Sequence, residues 1–564
     1  MKKILLTVAC CLTLGSTLAQ GLPKWAGKAG KAVFSVITYN QDNKILNTGN
    51  GFYIDEQGTA VSDYTLFRNA HHAVIVNADG KELPVECILG ANYLYDVVKF
   101  RTAVQKKSVA LVPATSAAVG QQVYVLPYST QKSKNAEAGT VSQVDTISNR
   151  SLYFTLNMAT TDKTVSCPLM NAEGQVLGLM QKSADADSQK SYAIDIKFAQ
   201  NLAITALSGS DQALQSIGIK KALPADESQA LVYVYMNAAR LSSDEYLALL
   251  NEFITQFPGN VEGWIRRATY HASLHTDKGN QLAQEDINHV LKVNKDKAEA
   301  HYHVAKFIYS YAIDTQTENK HKEWTLDHAL QHIDAALQQQ SEPLYQQIKG
   351  DICFAQQKYQ EAYDAYTLVN QSKLASALTY FSAAKSLEQV EGHAPASVLA
   401  LLDSAIAQYT EPYLQEAAPY LLERARVHTG LEQYRNAVFD YNHAYEALKG
   451  QVAPDFHLIR YQVEVKAHMY PQAIEDINTA ISKDPKNLDY LLEKASIHIR
   501  VNQTDEAIET LCKVLQLAPE KADAHRMLGY IYMRQKNKAE GKKHLNEAIR
   551  LGDEVAKKIL EKYK

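Results

Sequence analysis

Near its C-terminal end, the chain repeats one pattern of small and apolar residues at a constant interval. Ala473, Ala507 and Gly541 occupy equivalent positions, spaced 34 residues apart. Pro485 and Pro519 are also separated by 34 residues. A period of this length, in a segment rich in helix-forming residues, indicates repeated pairs of helices in which small residues allow close packing. Because one pair cannot bury its apolar face alone, the pairs are expected to stack on one another.

The composition changes near residue 224, which together with the length of 564 residues predicts more than one domain. Before that point, short β-branched runs are broken by turn residues such as those at 77–80, a pattern typical of strands and tight turns. After it, Ala, Leu, Gln, Glu, Lys and Tyr recur with helical spacing. We expect a linker over residues 206–224 and a helical domain over residues 225–564, with about seven units, the early ones carrying insertions.

The 34-residue unit resembles the tetratricopeptide repeat in its length and in signatures such as Ala473-x3-Ile477. The resemblance implies an α-solenoid of helix pairs, whose concave side holds an extended peptide or a partner helix. It places the lining side chains on the first helix of each unit, although such residues are often simply solvated surface. For the last two units, the predicted ligand-binding residues are Arg526, Tyr530, Met533, Asp489, Leu492 and Ser496.

The first part of the chain contains several motifs in the order of one enzyme family. Residues 163–171 read KTVSCPLMN and continue as AEGQVLG, residues 49–64 read GNGFYIDEQGTAVSDY, and residues 95–100 read YDVVKF. These segments resemble the trypsin-like serine peptidases of the HtrA-like bacterial branch, whose nucleophile loop reads Gly-x-Ser-Gly-Gly-Pro-Leu-x-Asn. The resemblance implies a double β-barrel over residues 25–205. The expected fold class is therefore multi-domain, a trypsin-like double β-barrel followed by an α-solenoid.

The resemblance places the catalytic triad of the family on residues that cannot perform its chemistry. Aligning on the Pro-Leu pair of the loop puts Val165 at the serine, Thr65 at the histidine and Asp96 at the aspartate. A serine hydroxyl attacks when a neighbouring imidazole accepts its proton, and neither Val165 nor Thr65 can take either part. Lys163 also replaces a glycine that helps this loop to form an oxyanion hole. The resemblance therefore implies a loss of catalysis.

The residues after the nucleophile position leave an alternative open. Ser166 and Cys167 are the fallback nucleophiles, and His71 and His72 follow the Thr65 position closely in the sequence. A shift of one residue along an extended chain reverses the side-chain direction, so the required hydrogen-bond contact is not expected. The alternative function is a divergent serine or cysteine endopeptidase whose repeats recruit substrate. In a third interpretation, the peptidase-like part only caps and stabilises the repeats.

The N-terminal residues are typical of an export signal. Two lysines lead into an apolar stretch over residues 4–14, which is too short to span a bilayer. Small residues then precede a cleavage point before Gln20, so residues 1–19 are expected to be a signal peptide. Lipid attachment at Cys10 or Cys11 is a weaker alternative. We expect a periplasmic or secreted protein, exported as in Gram-negative cells, with no membrane-spanning segment after cleavage.

The cysteines outside the signal show no CxxC motif and no even framework. They are Cys87, Cys167, Cys353 and Cys512. Pairing of Cys87 with Cys167 in an oxidising compartment stays open, whereas buried free thiols are the simpler expectation.

Composition and motifs argue against several other classes of function. The formal net charge is −4 and no basic stripe is present, so nucleic acid is not an expected partner. No cofactor is expected, because no phosphate-binding Gly-rich loop occurs. His271 and His275 share a helix face, as do His328 and His332, but without a third ligand no metal site is expected. The sequence predicts an exported, catalytically inactive serine-peptidase-like protein that binds protein or peptide partners through its repeats.

Overall fold

The described part of the chain falls into two compact units. The computed structural model describes residues 23–103, 107–131, 136–147, 151–183, 189–294, 297–314 and 321–563. The predicted signal peptide, residues 1–19, lies outside these ranges. One unit ends at Tyr270 and the other begins at His271.

The first six strands form a closed antiparallel barrel. They are β1 (Val33–Tyr39), β2 (Ile45–Tyr53), β3 (Thr59–Ser62), β4 (His72–Val76), β5 (Glu82–Asn92) and β6 (Val97–Thr102). Their order around the barrel is β1-β2-β3-β6-β5-β4. Burial alternates along β1, as expected of a strand with one face toward a core. Phe34, Phe52 and Phe100 are fully buried inside this unit and fill its centre.

The next six strands form a second closed antiparallel barrel. They are β7 (Gln122–Val125), β8 (Glu137–Thr146), β9 (Leu152–Asn157), β10 (Pro168–Met170), β11 (Val176–Gln181) and β12 (Lys190–Asp195). Their order is β10-β11-β12-β9-β8-β7. All of β11 is buried, and Gly178 is needed there because a side chain at this position would clash with the carbonyl oxygen of Ile194. The short strand β10 directly follows the loop that carries the nucleophile position.

Short helices complete the barrel region. They are α1 (Ala26–Ala29), α2 (Tyr64–Phe67), α3 (Ile196–Asn201) and α4 (Gln212–Gln215). The predicted linker, residues 206–224, packs closely rather than hanging free. Ile88 N–H donates to Lys220 O at 2.8 Å, and Ala222 N–H donates to Ile88 O at 2.9 Å. Ile217 is fully buried in the same core as the first barrel, so apolar side chains hold this segment against β5.

Helices make up the rest of the chain. Those that begin in the first unit are α5 (Glu227–Asn237), α6 (Ser243–Gln256) and α7 (Val261–Ala272). Leu250 and Phe253 of α6 are fully buried in the same hydrophobic cluster as the first barrel. The contacts within the chain therefore divide it after these first helices, at Tyr270.

The second unit consists of helices that pack on their neighbours in sequence. They are α8 (Asp277–Val293), α9 (Lys297–Ile313), α10 (Leu326–Gln339), α11 (Pro343–Ala355), α12 (Tyr359–Asn370), α13 (Ala377–Glu388), α14 (Pro395–Ile406), α15 (Ala418–Gly430), α16 (Tyr434–Ala447), α17 (Pro454–Lys466), α18 (Tyr470–Lys483), α19 (Leu488–Arg500), α20 (Thr504–Leu517), α21 (Ala522–Arg534), α22 (Lys538–Arg550) and α23 (Glu554–Lys562). The repeat positions Ala473 and Ala507 are fully buried. A Cβ at Gly529 would lie 2.6 Å from Leu545 Cγ, so α21 and α22 require a small residue there. Two six-stranded barrels followed by repeated helices confirm the predicted architecture.

Each of two neighbouring repeats contains a buried ion pair between its own two helices. Arg424 of α15 donates from Nε to Asp440 Oδ2 at 2.9 Å, and Arg460 of α17 donates from Nε to Asp476 Oδ2 at 2.6 Å. Both pairs are bidentate and join residues sixteen positions apart. Asp440 is 1% exposed, so its charge depends on the arginine for compensation.

None of the helices within the described ranges is long and apolar enough to cross a bilayer.

Candidate functional site

Thr65 and Asp96 form a hydrogen-bonded pair on the first barrel. Thr65 lies in α2, directly after β3, and Asp96 lies in the turn between β5 and β6. The backbone N–H and the hydroxyl of Thr65 both donate to Asp96 Oδ1, at 2.7 and 2.8 Å. The structure thus brings together the positions assigned to the histidine and the aspartate of the triad. The carboxylate is bound by a hydroxyl and an amide, and neither can accept a proton from a nucleophile at neutral pH.

The two histidines of the first 270 residues do not replace the missing imidazole. The His72 ring is stacked on Tyr39, with centroids 4.6 Å apart, where β4 pairs with β1. His71 is exposed just before β4. Ser166 Oγ is fully buried and has no hydrogen-bond partner among the described residues. The fallback serine therefore has no imidazole within hydrogen-bond distance.

The loop that carries Val165 folds into a single tight turn. The N–H groups of Thr164 and Val165 both donate to Thr161 O, at 2.9 and 3.2 Å. The Thr164 hydroxyl donates to the same oxygen at 3.0 Å. An oxyanion hole needs backbone N–H groups that point at the reacting oxygen. Since the N–H of the nucleophile position is used inside the turn, this conformation lacks that donor.

An asparagine of the first barrel holds this loop in place. Asn50 of β2 donates from Nδ2 to Val165 O at 2.9 Å and to Lys163 O at 3.4 Å. Two carbonyl oxygens of the loop thus face the Asn50 side chain. Carbonyl oxygens repel a developing oxyanion, so this arrangement is the reverse of the one that acyl transfer requires.

Ser166 lies against a buried carboxyl rather than an imidazole. Its backbone adopts the left-handed region with φ of 61°, which is uncommon outside glycine, and only 1% of its surface is exposed. Burial raises the pKa of the Asp63 carboxyl well above its usual range, the charge of Asp96 raises it further, and the Ser166 hydroxyl acts in the opposite direction. A carboxyl that stays protonated cannot act as a general base for the serine.

Cys167 is also unsuited to nucleophilic attack. It is fully buried, and its Sγ donates to Lys163 O at 3.3 Å. Burial raises the pKa of the thiol well above its usual range, which disfavours the reactive thiolate. Cys87, Cys353 and Cys512 are free thiols like Cys167, so the structure contains no Cys87–Cys167 disulfide.

A second candidate site is a cavity among the first helices of three repeats in the second unit. It has a volume of about 580 Å³ and is lined by α15, α17 and α19, with further residues from α16. Its walls combine basic, aromatic and aliphatic side chains, among them Arg426, Tyr441, Lys466 and Arg500. Ser496 was among the predicted ligand-binding residues, whereas these four were not. The 34-residue spacing of Lys466 and Arg500 was the available signal.

The other residues predicted in the same repeat are placed differently. Asp489 is exposed at the start of α19, with Lys521 Nζ at 3.9 Å from its Oδ1. Leu492 is half-buried and packs against a hydrophobic cluster. Ser496 is the one of the three that lines the cavity.

The residues predicted in the last repeat do not form a common surface. Arg526 donates from Nε to Asp553 Oδ2 at 2.6 Å and also pairs with Asp523. Met533 is 4% exposed and packs within the core, so it does not fit the predicted role of contacting a ligand. Tyr530 is half-buried and lies under the guanidinium of Arg534.

Metal-ligating side chains do not gather at either site. Within the described ranges, no three His, Cys, Asp or Glu residues are arranged to hold a metal ion. His332 instead lies beside His301, with their Nδ1 atoms 2.8 Å apart.

Comparison with known families and proteins agrees with the fold of both parts of the chain. Residues 49–179 match the trypsin-like peptidase domain family, and residues 492–556 match a tetratricopeptide repeat family. The chain is similar to sperm-associated antigen 1 of Mus musculus, with 31% identity over 132 residues, which is 22% of this chain and 14% of that protein. The Rattus norvegicus protein of the same name is 30% identical over 132 residues, with the same coverage.

A third relative carries the repeats in its name. Interferon-induced protein with tetratricopeptide repeats 2 of Mus musculus is 33% identical over 86 residues, which is 14% of this chain and 18% of that protein. The chain thus spans less than a fifth of the length of each curated relative described here. The chain combines a trypsin-like peptidase domain with tetratricopeptide repeats.

Proposed function

We propose that this chain is an exported protein whose trypsin-like domain does not hydrolyse peptide bonds and whose repeats bind protein or peptide partners. The observation that carries the loss of hydrolysis is the pair formed by Thr65 and Asp96. The carboxylate that would orient an imidazole binds a threonine hydroxyl at 2.8 Å instead. The hydroxyl of Ser166, the fallback nucleophile of this loop, is buried with no imidazole in hydrogen-bond contact.

The missing imidazole and the missing backbone donor affect separate steps of peptide-bond hydrolysis. Without an imidazole, the proton of a nucleophile has no acceptor, and without the N–H of Val165, the tetrahedral intermediate loses a donor. In serine peptidases the triad acts as a unit, and removing the serine or the histidine alone costs about as much as removing all three residues. Restoring a single residue would therefore not restore hydrolysis.

The repeats support the binding part of the proposal. Helix pairs that stack present an extended concave surface, which suits a peptide or a partner helix. The matched repeat family and the cavity among α15, α17 and α19 are consistent with this role. On the peptidase-like domain, Tyr93 and Leu94 are 69% and 70% exposed in the turn before Asp96. Apolar side chains in this position suit contact with a partner near the former cleft.

Export is the least direct part of the proposal, and it rests on residues 1–19 alone. Cleavage before Gln20 would release the mature protein into the periplasm or the medium. Expression of the full chain in a Gram-negative host, followed by fractionation and N-terminal sequencing, tests this. We expect a periplasmic product that begins at Gln20. A product retained in the cytoplasm with its N-terminus intact would contradict it.

Hydrolysis of fluorescent casein tests the proposed loss of activity. We expect the purified mature protein to release no more fluorescence than buffer, while trypsin in parallel samples gives full release. The Ser166→Ala variant is the matched control, because it removes the hydroxyl of the fallback nucleophile and leaves the rest of the loop unchanged. Turnover by the wild-type protein that disappears in this variant would refute the proposal and favour the divergent endopeptidase.

Selection from a random peptide library displayed on phage tests the binding part. We expect the immobilised full chain to enrich a shared peptide motif, and synthetic peptides with that motif to compete for binding. Absence of enrichment over repeated rounds, with a peptide-binding control protein succeeding in parallel, would count against a peptide-binding role.

A further inference from the structure

A cavity in the first unit lies on the outer face of the first barrel. Its floor is formed by β3, β5 and β6, and its walls are the segment after α3, residues 222–225 and α6. It has a volume of about 650 Å³, and small-molecule sites usually have roughly 300–1,000 Å³. Neither the triad positions nor the predicted ligand-binding residues line it.

The alternation of side chains along β6 explains why two cations face this cavity. Phe100 is fully buried in the core, so its neighbours Lys99 and Arg101 lie on the opposite, outer face of the strand. Arg101 is aligned with Thr59 of β3 on one side and with Cys87 of β5 on the other. Its side chain therefore stands in the middle of the cavity floor.

Hydrogen bonds hold the walls of this cavity in place. Lys99 Nζ donates to Gln200 O at 2.7 Å, which joins the segment after α3 to the floor. Gln256 Nε2 of α6 donates to Pro224 O at 3.0 Å, which joins the other two walls. The cavity is therefore formed before a ligand binds, and a preformed site reduces the cost of ordering on binding.

Three of the four charged lining residues within the described ranges already have partners. Lys99 is bound to the wall, and Asp55 accepts two backbone N–H groups of its own turn, each at 2.8 Å. Glu252 Oε2 lies 2.7 Å from Lys220 Nζ. Arg101, by contrast, has no hydrogen bond or ion pair in the part of the chain that the structure describes. Its guanidinium is therefore available to a ligand.

The apolar part of the lining is aliphatic. Among the described residues no aromatic ring lines the cavity, and its larger apolar side chains are Ile54, Leu89, Leu202, Ile204 and Leu223. Burial of hydrocarbon against such side chains is favourable without any directional contact. An aliphatic wall beside one free guanidinium suits a hydrocarbon chain that ends in an anionic group.

We propose that this cavity binds an aliphatic carboxylate of medium chain length, with the carboxylate at Arg101 and the hydrocarbon chain against the leucines of the lining. A planar guanidinium pairs with a carboxylate through two parallel hydrogen bonds. Lys99, two residues along the same face of β6, adds positive charge to the floor. The site belongs to the peptidase-like domain and goes beyond the proposed binding of partners by the repeats.

Isothermal titration calorimetry of the full-length chain with sodium decanoate tests this directly. We expect decanoate to saturate one site per chain. Hexanoate, whose chain is four methylene groups shorter, is expected to bind at least about tenfold more weakly, because it removes less apolar surface from water. Decyltrimethylammonium, which has the same chain length and the opposite charge, is expected to give no saturable binding.

Substitutions on the floor and in the wall supply the second arm. Arg101→Gln is expected to weaken decanoate binding about fivefold, because Arg101 is exposed and solvent screens part of the attraction. Arg68→Gln is the matched control, since Arg68 is also an exposed arginine of the first barrel and lies outside the cavity, and it should leave the affinity within about twofold. Ala203→Trp fills the cavity from an exposed wall position and should weaken binding at least about tenfold. Circular dichroism should show that all three variants melt like the wild type.

Several results would overturn the inference. Absence of saturable decanoate binding would exclude the site, and equal affinity for decanoate and decyltrimethylammonium would show that Arg101 does not select an anion. Decanoate affinity that is the same in the wild type, Arg101→Gln and Ala203→Trp would place the ligand elsewhere on the protein. None of these results changes the outcome of the peptide selection, so the proposed function of the repeats is tested separately.

Discussion

Replacing Glu464 with glutamine is expected to stabilise the helical unit at neutral pH. Glu464 lies in α17 with 2% of its surface exposed, and its Oε2 has no hydrogen-bond partner within the described ranges. Burial raises the pKa of this carboxyl to about 8, and the negative charge of Asp476 contributes, although Arg460 acts in the opposite direction. The folded chain therefore keeps a proton on Glu464 at neutral pH.

The size of the effect follows from the difference in pKa between the folded and unfolded chains. The unfolded carboxyl titrates near 4.5. Folding raises the pKa of Glu464. The contribution of its proton to stability is therefore complete below about pH 4.5 and is lost as the pH rises toward 8. Each pH unit in this window lowers the free energy of unfolding by about 1.4 kcal/mol, so the loss amounts to about 4 kcal/mol at pH 7.5. Glutamine has nearly the same shape and needs no proton, so Glu464→Gln removes this loss.

Thermal unfolding followed by circular dichroism at pH 5 and pH 7.5 measures the prediction. One kcal/mol shifts the melting temperature of a unit of this size by about 2–4 °C, so we expect Glu464→Gln to melt about 8 °C or more above wild type at pH 7.5. At pH 5 the two proteins should differ little. Glu446→Gln is the control, because Glu446 is exposed on α16. A difference between Glu464→Gln and wild type that is equal at both pH values would refute the reasoning.

Three further variants probe other parts of the molecule. Thr65→His combined with Val165→Ser is expected to leave casein hydrolysis at the level of buffer, because the N–H of residue 165 is used within its own turn; measurable turnover would contradict this. His332→Phe is expected to flatten the fall of the melting temperature between pH 6.5 and 4, since burial lowers the pKa of His332 to about 4 and its stabilising neutral form is lost on acidification; parallel curves would contradict this. Arg424→Met is expected to cost about 3 kcal/mol or more in urea unfolding, because Asp440 stays buried without its partner; an unchanged midpoint would contradict this.

The architecture was predictable because it rests on local patterns. The 34-residue interval marks positions such as Ala473 and Ala507, where a larger side chain would not fit between helices, so the repeat is visible in sequence alone. The barrels were predictable from three motifs, each of which occupies a short continuous stretch of the sequence. The extent of each unit was harder to predict, because Ile217 and Phe253 join the barrel core through contacts that no local pattern specifies.

The sites depend more strongly on contacts between distant residues. Alignment of the sequence motifs placed Thr65 at the histidine position of the triad and Asp96 at the aspartate position. In the structure the two residues are hydrogen-bonded to each other. No sequence motif indicated that Asn50 holds the nucleophile loop, because the contacting residues are more than one hundred positions apart along the chain. In the repeats, Met533 faces the core where Gly541 allows close approach. The spacing of neighbouring repeats decides which residues of the first helices border a cavity. Insertions in the earlier repeats alter that spacing.

Intact-mass spectrometry after incubation with a fluorophosphonate probe is the most direct test of the proposed loss of catalysis. Such probes label only serines whose hydroxyl is activated by a neighbouring base. We expect the mass of the purified mature protein to stay unchanged, while trypsin treated in the same way gains one adduct. An adduct that maps to residues 163–167 and is lost in Ser166→Ala would show that a working nucleophile remains in the loop.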